Sequence, residues 1–509
     1  MPAPRAPALG EGLDPVRFEV IRSALLALTE EMGETLRRAA YSTNIKTRTD
    51  FSCACFDSEL RTVAQAFAQP SHLGSLAQLV PRALEEYGAE RLGPGDGLLI
   101  NHPYLGGVHL NDITLISPVY AGGRPVAYVA NIAHHVDVGG AAPGSIGAGR
   151  EIYSEGLIIP PVRLVKGGEI DPEIFALVRA NVRGEKEVAG DFRAQTAANR
   201  IGAQRLGELF GRFGAEELRR YMAALIDYSR RRTEAELADF PAGRYEARGE
   251  MDDDGMGGGP VRLRVAVEKV GDRIRVDLTG SDAQRAAPTN ATFAQSYSAV
   301  VYVLKCLVDP DIPVNDGFYQ VVEVVATPGT VVCAQAPAPV VAGWEVAVQV
   351  CDLLFEALAP ALPERVIAGT KGCICNIAFG GKRPEAGEYF TFYETIAGGY
   401  GASFRADGMD AVQAHFQNTE NAPVEETETH YPVRILRYEL IPDSEGAGRF
   451  RGGLGVRRDY LFPGHTPVFS VMSDRAKNPP RGLFGGQNAR PASYLREVER
   501  GGLPMGSKA

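Results

Sequence analysis

From Asp14 onward the apolar positions Phe18, Ile21, Leu25, Leu28, Met32 and Leu36 recur at steps of three and four. That spacing places one stripe along a helix and predicts a long amphipathic element reaching about Tyr41. Asp14 followed by Pro15 fits an N-cap and a proline at the first helical position. Phe51 to Phe56 is a short strand candidate, and Ser75 to Tyr87 returns to a helical period. Over 97–140 the pattern changes. Gly97 to Ile100, Ile113 to Val119 and Ala127 to Ile132 are short β-branched runs bounded by Gly, Pro and Asn, the signature of strands buried on both faces. Helical periodicity resumes over 171–239, with a long helix around Asp191 to Phe213. Beyond Pro241, Tyr245 to Met251, Val261 to Val267 and Arg273 to Leu278 alternate with period two, predicting an antiparallel meander. Helices follow at Tyr297 to Val308 and Glu345 to Leu358. The stretch 365–495 is Gly-rich and reads as short strands and loops.

At 509 residues the chain exceeds what one hydrophobic core serves. The pattern divides it into a flexible arm (1–13), an α/β unit (14–240), an antiparallel β plus helix unit (241–345) and a Gly-rich mixed unit (346–509). The fold class expected is α+β: multidomain mixed sheets with flanking helices and a β-rich C-terminal half. The formal charge of -10 and pI of about 5.5 deny the surface that phosphate backbones need, so no nucleic acid is expected. No run approaches the roughly 20 apolar residues that span a bilayer. Residues 1–12 lack the apolar core of a secretory signal. Seven cysteines, an odd number scattered from Cys53 to Cys375, suit a reducing cytoplasm better than a disulfide framework.

Candidate chemistry concentrates in one window. Five of the eight histidines (His72, His102, His109, His134, His135) lie between 72 and 135. His109-Leu-Asn-Asp112 precedes one predicted strand; His134-His135-Val-Asp137-Val-Gly-Gly140 follows another. If the two strands pair as an antiparallel hairpin, both patterns converge at one end of the sheet. Two imidazoles and a carboxylate suit a borderline divalent ion, Zn, Mn or Fe, with positions left open. Asp137, Glu151 and Glu155 could orient the imidazoles from behind. A single strand-end histidine is ordinarily just a satisfied polar residue; two clusters framed by Gly-Gly pairs shift the balance. Strand alternation leaves His134 on one face and His135 with Asp137 on the other. The pairs Cys53-Ala-Cys55 and Cys373-Ile-Cys375 read as buried small hydrophobes. Gly255 to Gly259 reads as a hairpin turn, and Gly501 to Lys508 has the wrong order for a phosphate loop.

The run Asn101-His-Pro-Tyr-Leu-Gly-Gly-Val-His-Leu-Asn-Asp112 resembles a signature of the hydantoinase B/oxoprolinase family. His134 to Gly140, Pro143-Gly-Ser145 and Glu151-Ile-Tyr-Ser-Glu-Gly156 continue it in order. Arg48 to Ser52, Ser71 to Ser75, Asp191 to Gln195, Asp277 to Gly280 and Arg451 to Gly455 extend the likeness from about 14 to 490. Two departures stand out: His102 where the family usually has Asp, and an end at Ala509 without the usual Gly-rich tail, which suggests truncation. The resemblance implies a subunit of an ATP-dependent hydrolase of hydantoins, 5-oxoproline or related lactams. It would act in a hetero-oligomer with a hydantoinase A-type subunit that binds ATP and Mg. It also implies His109, Asp112 and His134 as metal ligands, with His135 retained as an alternative. His135 or Asp137 is then the nearest candidate base. A second branch, similar to acetone and acetophenone carboxylases, makes a ketone carboxylase subunit the alternative reading; a non-catalytic assembly subunit is the third.

Overall fold

The structure is a computed structural model that describes residues 12–66, 69–385 and 387–508, the side chain of Glu499 apart. The arm expected over 1–13 falls outside the described residues except at its last two positions. In chain order the first elements are α1 (Pro15–Ala39), α2 (Thr43–Lys46), β1 (Phe51–Asp57), β2 (Thr62–Gln65), α3 (Ser75–Tyr87), β3 (Gly97–Ile100), β4 (Asp112–Ala121) and β5 (Arg124–His134). Then come β6 (Val162–Lys166), β7 (Glu169–Ile170), α4 (Pro172–Arg179), α5 (Glu185–Phe213) and α6 (Ala215–Ala238). The Asp14 carboxylate accepts from the backbone N–H groups of Val16 and Arg17, as its place before Pro15 predicts. All six residues of the predicted α1 stripe are buried.

The first sheet has the order β2-β1-β5-β4-β3-β6-β7 and every pairing is antiparallel. β4 and β5 form the expected hairpin. Its two-residue tip is Gly122-Gly123, with φ of +59° and +78°, which only glycine adopts cheaply and which matches the right-handed twist of the strands. Asp112 stands directly across the ladder from His134. One face of the sheet, with Cys53, Cys55, Val119 and Val129, packs on α1 and α5. The other, with Phe56, Leu98, Ile116 and Ala130, belongs to the largest core.

That core continues into the second region: β8 (Arg244–Met251), β9 (Val261–Val270), β10 (Arg273–Asp277), α7 (Phe293–Leu307), α8 (Asp316–Tyr319), β11 (Val322–Val325) and α9 (Gly343–Leu358). The meander β8-β9-β10 forms as predicted, and Gly255 to Gly259 sits in its first turn. β11 adds to it in parallel, an element the sequence pattern did not reveal. α7 carries a capping box, Thr292 with Gln295, which moves its start four residues upstream of the predicted one. α7 and α9 pack together and fill the space between the two sheets in one continuous apolar cluster.

The remainder comprises β12 (Asn376–Lys382), β13 (Tyr389–Thr395), α10 (Val424–His430), β14 (Arg434–Leu440), β15 (Val456–Leu461), β16 (Val468–Met472), β17 (Leu495–Arg496) and β18 (Leu503–Pro504). β13-β12-β16 form a sheet over an aromatic cluster, while β14-β15 and β17-β18 are two-stranded ribbons. The α+β reading of the whole chain holds. Among the described residues no helix is long and apolar enough to cross a membrane.

Candidate metal centre

The hairpin register sets the site. Asp112 opens β4 and His134 closes β5, so the ladder itself puts their side chains side by side, with His134 Nδ1 3.1 Å from Asp112 Oδ1. His109 arrives from the loop before β4, where the Asp112 amide donates to the His109 carbonyl. That loop is pinned by Asn101, whose side-chain amide donates to the carbonyls of Leu110 and Leu157 and whose oxygen accepts from Ile159. Gly106 sits at φ +110°, and a Cβ there would meet the Gln78 carbonyl oxygen at 2.8 Å; no other residue lets the loop pass so close to α3.

His109, Asp112 and His134 each offer one donor atom within 4.8 Å of the others, and all three are buried. Nε2 of His109, Oδ2 of Asp112 and Nε2 of His134 have no hydrogen-bond partner. His109 Nε2 and Asp112 Oδ2 stand 3.3 Å apart. Two ligands each about 2.0–2.1 Å from a tetrahedral ion are separated by about 3.3 Å. A buried polar atom without a partner costs about 1–3 kcal/mol, so the facing His109 Nε2 and Asp112 Oδ2 fit a group that satisfies both, with His134 meeting the same carboxylate through Nδ1. The donor set fits a divalent ion of borderline hardness.

Electrostatics agree. Burial pushes the Asp112 carboxyl upward, yet His109, His134 and His72 more than offset it and hold the group well below the usual carboxylate range. Burial holds the His109 imidazole below its ordinary value, so its lone pair is free. Trp344 and His109 meet edge to face with centroids 5.5 Å apart, and Tyr393 stacks on His134 at 4.6 Å.

His72, given no role by the sequence pattern, is also here. Its Nε2 lies 3.6 Å from Asp112 Oδ2 and its Nδ1 3.2 Å from the Ser52 hydroxyl. Its signal was faint, a histidine in a three-residue turn forty positions before Asp112. Trp344 and Tyr393 come from more than 200 residues downstream, where no spacing rule reaches.

His135 and Asp137 are not brought into the cluster. His135 turns to the opposite face, as alternation predicted, stacking near Phe192 and bonding Gln195 Oε1 through Nε2 at 2.9 Å. Asp137 Oδ1 accepts from the amides of Gly139 and Arg183, and Oδ2 from the Gly144 amide and the Arg183 guanidinium. Both oxygens are thus committed to folding the 137–145 loop. Glu155 accepts from the amides of Val340 and Val341, and Glu151 is exposed, so the expected support of the imidazoles by these three carboxylates gives way to loop tethering. The cysteines behave as small hydrophobes: Cys53, Cys55 and Cys373 are buried and free, their thiols pushed up by burial. Lys508 of the dismissed phosphate-loop candidate is paired with Asp474 at 2.7 Å, both side chains fully buried.

Known proteins resemble this chain along most of its length. The sequence profile of the family described as Hydantoinase B/oxoprolinase matches residues 14–508. An uncharacterized protein of Methanocaldococcus jannaschii is 38% identical, with 97% of this chain aligned to 87% of that one. A protein of Pseudomonas sp. strain NS671, named as the B-type subunit of a D-/L-hydantoinase, is 31% identical over 94% of this chain and 82% of its own. The 5-oxoprolinase of Dictyostelium discoideum is 33% identical; 94% of this chain aligns, spanning 37% of that longer protein. Among solved structures, the ATP-dependent caprolactamase of Pseudomonas jessenii superposes with a TM-score of 0.84 at 31% identity, over 95% of this chain and 83% of that one. An acetone carboxylase chain shares the fold at a TM-score of 0.87 and 20% identity, covering 94% and 66%. With the profile running almost end to end, the chain belongs to the hydantoinase B/oxoprolinase family.

Proposed function

We propose that this chain is the metal-carrying subunit of an ATP-dependent hydrolase of cyclic amides of the hydantoin, 5-oxoproline or lactam type. It would act with a separate hydantoinase A-type subunit that binds ATP and Mg. The observation that carries this reading is the buried meeting of His109, Asp112 and His134, in which the facing His109 Nε2 and Asp112 Oδ2 have no hydrogen-bond partner. Family membership supports the substrate class, and the name of the caprolactamase supports ATP dependence.

His109, Asp112 and His134 would hold one divalent ion, Zn or Mn, with Fe as the third option. Bound there, such an ion supplies a Lewis acid for a carbonyl oxygen and lowers the pKa of a coordinated water. His72 stands beside the Asp112 carboxylate, its Nε2 3.6 Å from Oδ2, while Ser52 holds its other nitrogen. Trp344 and Tyr393 wall two sides and exclude water, which strengthens every charge interaction inside. Gln195 donates its amide hydrogens to the Ile113 carbonyl and to Asn131, so its oxygen faces His135 Nε2 and leaves Nδ1 bare. Burial keeps His135 down to about 4, so it stays neutral at pH 7 and supports the strand from the face away from the cluster. Asp137 positions the adjoining loop. An unstrained amide resists water through resonance, and a phosphoryl group placed on its oxygen removes that protection. We assign that transfer to the partner subunit.

The test is metal analysis and a substrate panel on the purified chain with its ATP-binding partner. Wild type should carry metal and consume ATP only when a cyclic amide is supplied. His109→Ala should lose bound metal and lower ring opening at least a hundredfold. Full ring opening by metal-free protein would remove the metal from the reading. ATP consumption that needs a ketone plus bicarbonate instead would install the carboxylase alternative.

A further inference from the structure

The C-terminal region encloses a cavity of about 1600 Å³ lined by segments between residues 363 and 505. Small-molecule sites typically measure about 300–1,000 Å³, so this space is of a size for a stretch of polypeptide. Its charge runs against the rest of the chain. The protein is net -10, yet the lining holds nine arginines and Lys371 against only two carboxylates, Asp459 and Glu497. Most of these arginines pair with an acid. Arg449, Arg490 and Arg496 are exposed and have no carboxylate partner among the described residues.

The apolar surface points the same way. β14 carries Leu436, Tyr438 and Leu440, each exposed by 43–50%; a bulge at Leu436 turns that residue toward the cavity, while Tyr438 packs under the Arg458 guanidinium. Among the described residues β14 pairs only with β15, and a two-stranded ribbon is marginal in water without a further strand or a covering surface. Phe484 and Leu495 are exposed along the same cavity.

The cavity also has an address. Cys375 and Ile377 line it, while Asn376 between them turns to the other side of β12. There Asn376 accepts from the Tyr393 hydroxyl and donates to Glu345, and Tyr393 stacks on His134. One strand therefore separates the cavity from the candidate metal centre.

We infer that this cavity seats an acidic, apolar-bearing segment of the ATP-binding subunit. The inference rests on the two-subunit reading above and adds where and by what chemistry the partner docks. Carboxylates of that segment meet Arg449, Arg490 and Arg496, and its apolar side chains cover Leu436, Phe484 and Leu495. Docked there, the partner lies against the opposite side of the β12 wall from the imidazoles.

The experiment is co-expression with the ATP-binding subunit, followed by size-exclusion chromatography with light scattering. Wild type should elute as a complex that weakens with rising salt. Arg449→Glu/Arg490→Glu/Arg496→Glu should weaken the complex at least tenfold while keeping bound metal and melting temperature. If that variant misfolds, Leu436→Lys, on the open ribbon, should weaken the complex in the same way. A triple variant that binds the partner as tightly as wild type overturns the inference and leaves the metal reading standing. So does one that alters only the mass of this chain run alone, since a second copy would then be the occupant. A complex that forms as described but shows no metal and no amide-dependent ATP consumption upholds the docking site and sinks the hydrolase. Absence of any complex in wild type overturns both.

Discussion

Gln195 shows how much of the fold behind the site depends on one buried amide. Fully buried on α5, it donates to the Ile113 carbonyl and to Asn131 and accepts from His135. Replacing it with Leu leaves three buried polar groups unanswered, each costing about 1–3 kcal/mol. Gln195→Leu should therefore lower stability by about 3 kcal/mol or more, read as a drop in denaturation midpoint. The metal ligands should be spared, because His135 faces away from them. At this scale the sequence was informative where two chemical residues sit three apart beside a strand, as in His109 and Asp112. It said little about His72, Trp344 and Tyr393, whose contributions exist only after distant segments pack.

Elements with a strong period were legible: the α1 stripe, the buried runs of β3, β4 and β5, and the β8-β9-β10 meander. β2 and β11 were not, since each is a short edge strand whose place is decided by the sheet it completes, whereas β3, equally short, is an unbroken apolar run between two neighbours. The hairpin was legible because its consequence could be stated in advance: two strand ends at one rim. Helix contacts are less readable. Gly202 on α5 looks like a helix weakness that Ala would repair, but a Cβ there would meet Met32 Sδ of α1 at 2.3 Å. The glycine permits the close crossing of α1 and α5 that covers the first sheet. Gly202→Val should destabilise by about 1–3 kcal/mol as an overpacked contact, and adding Met32→Ala should recover part of that loss in thermal melts.

Over the whole molecule, one buried histidine gives stability an acid limb. His415 is fully buried against Phe355, meets the hydroxyls of Tyr302 and Tyr400 at Nδ1, and faces Asp352 at 3.5 Å through Nε2. Burial holds it down to about 4, against an ordinary 6.5. The unfolded chain therefore binds this proton more readily than the folded one. Its contribution is intact above about pH 6.5 and declines as pH falls toward 4, by up to roughly 3 kcal/mol. His415→Gln should flatten the slope of denaturation midpoint against pH in that window. A broader reach follows from α9, which lies between the two sheets with Trp344 at its start. Its flank rests on β8 and β9, and its tip meets the ring of His109. It works as a beam that carries a load from a remote wall to the imidazoles. A disturbance at the far wall, such as Gly249→Val pressing on Leu353, where even a Cβ would come within 2.9 Å, should loosen the grip on an ion. Faster metal loss to a chelator would record it, with every ligand untouched and the damage done on the far side of a helix.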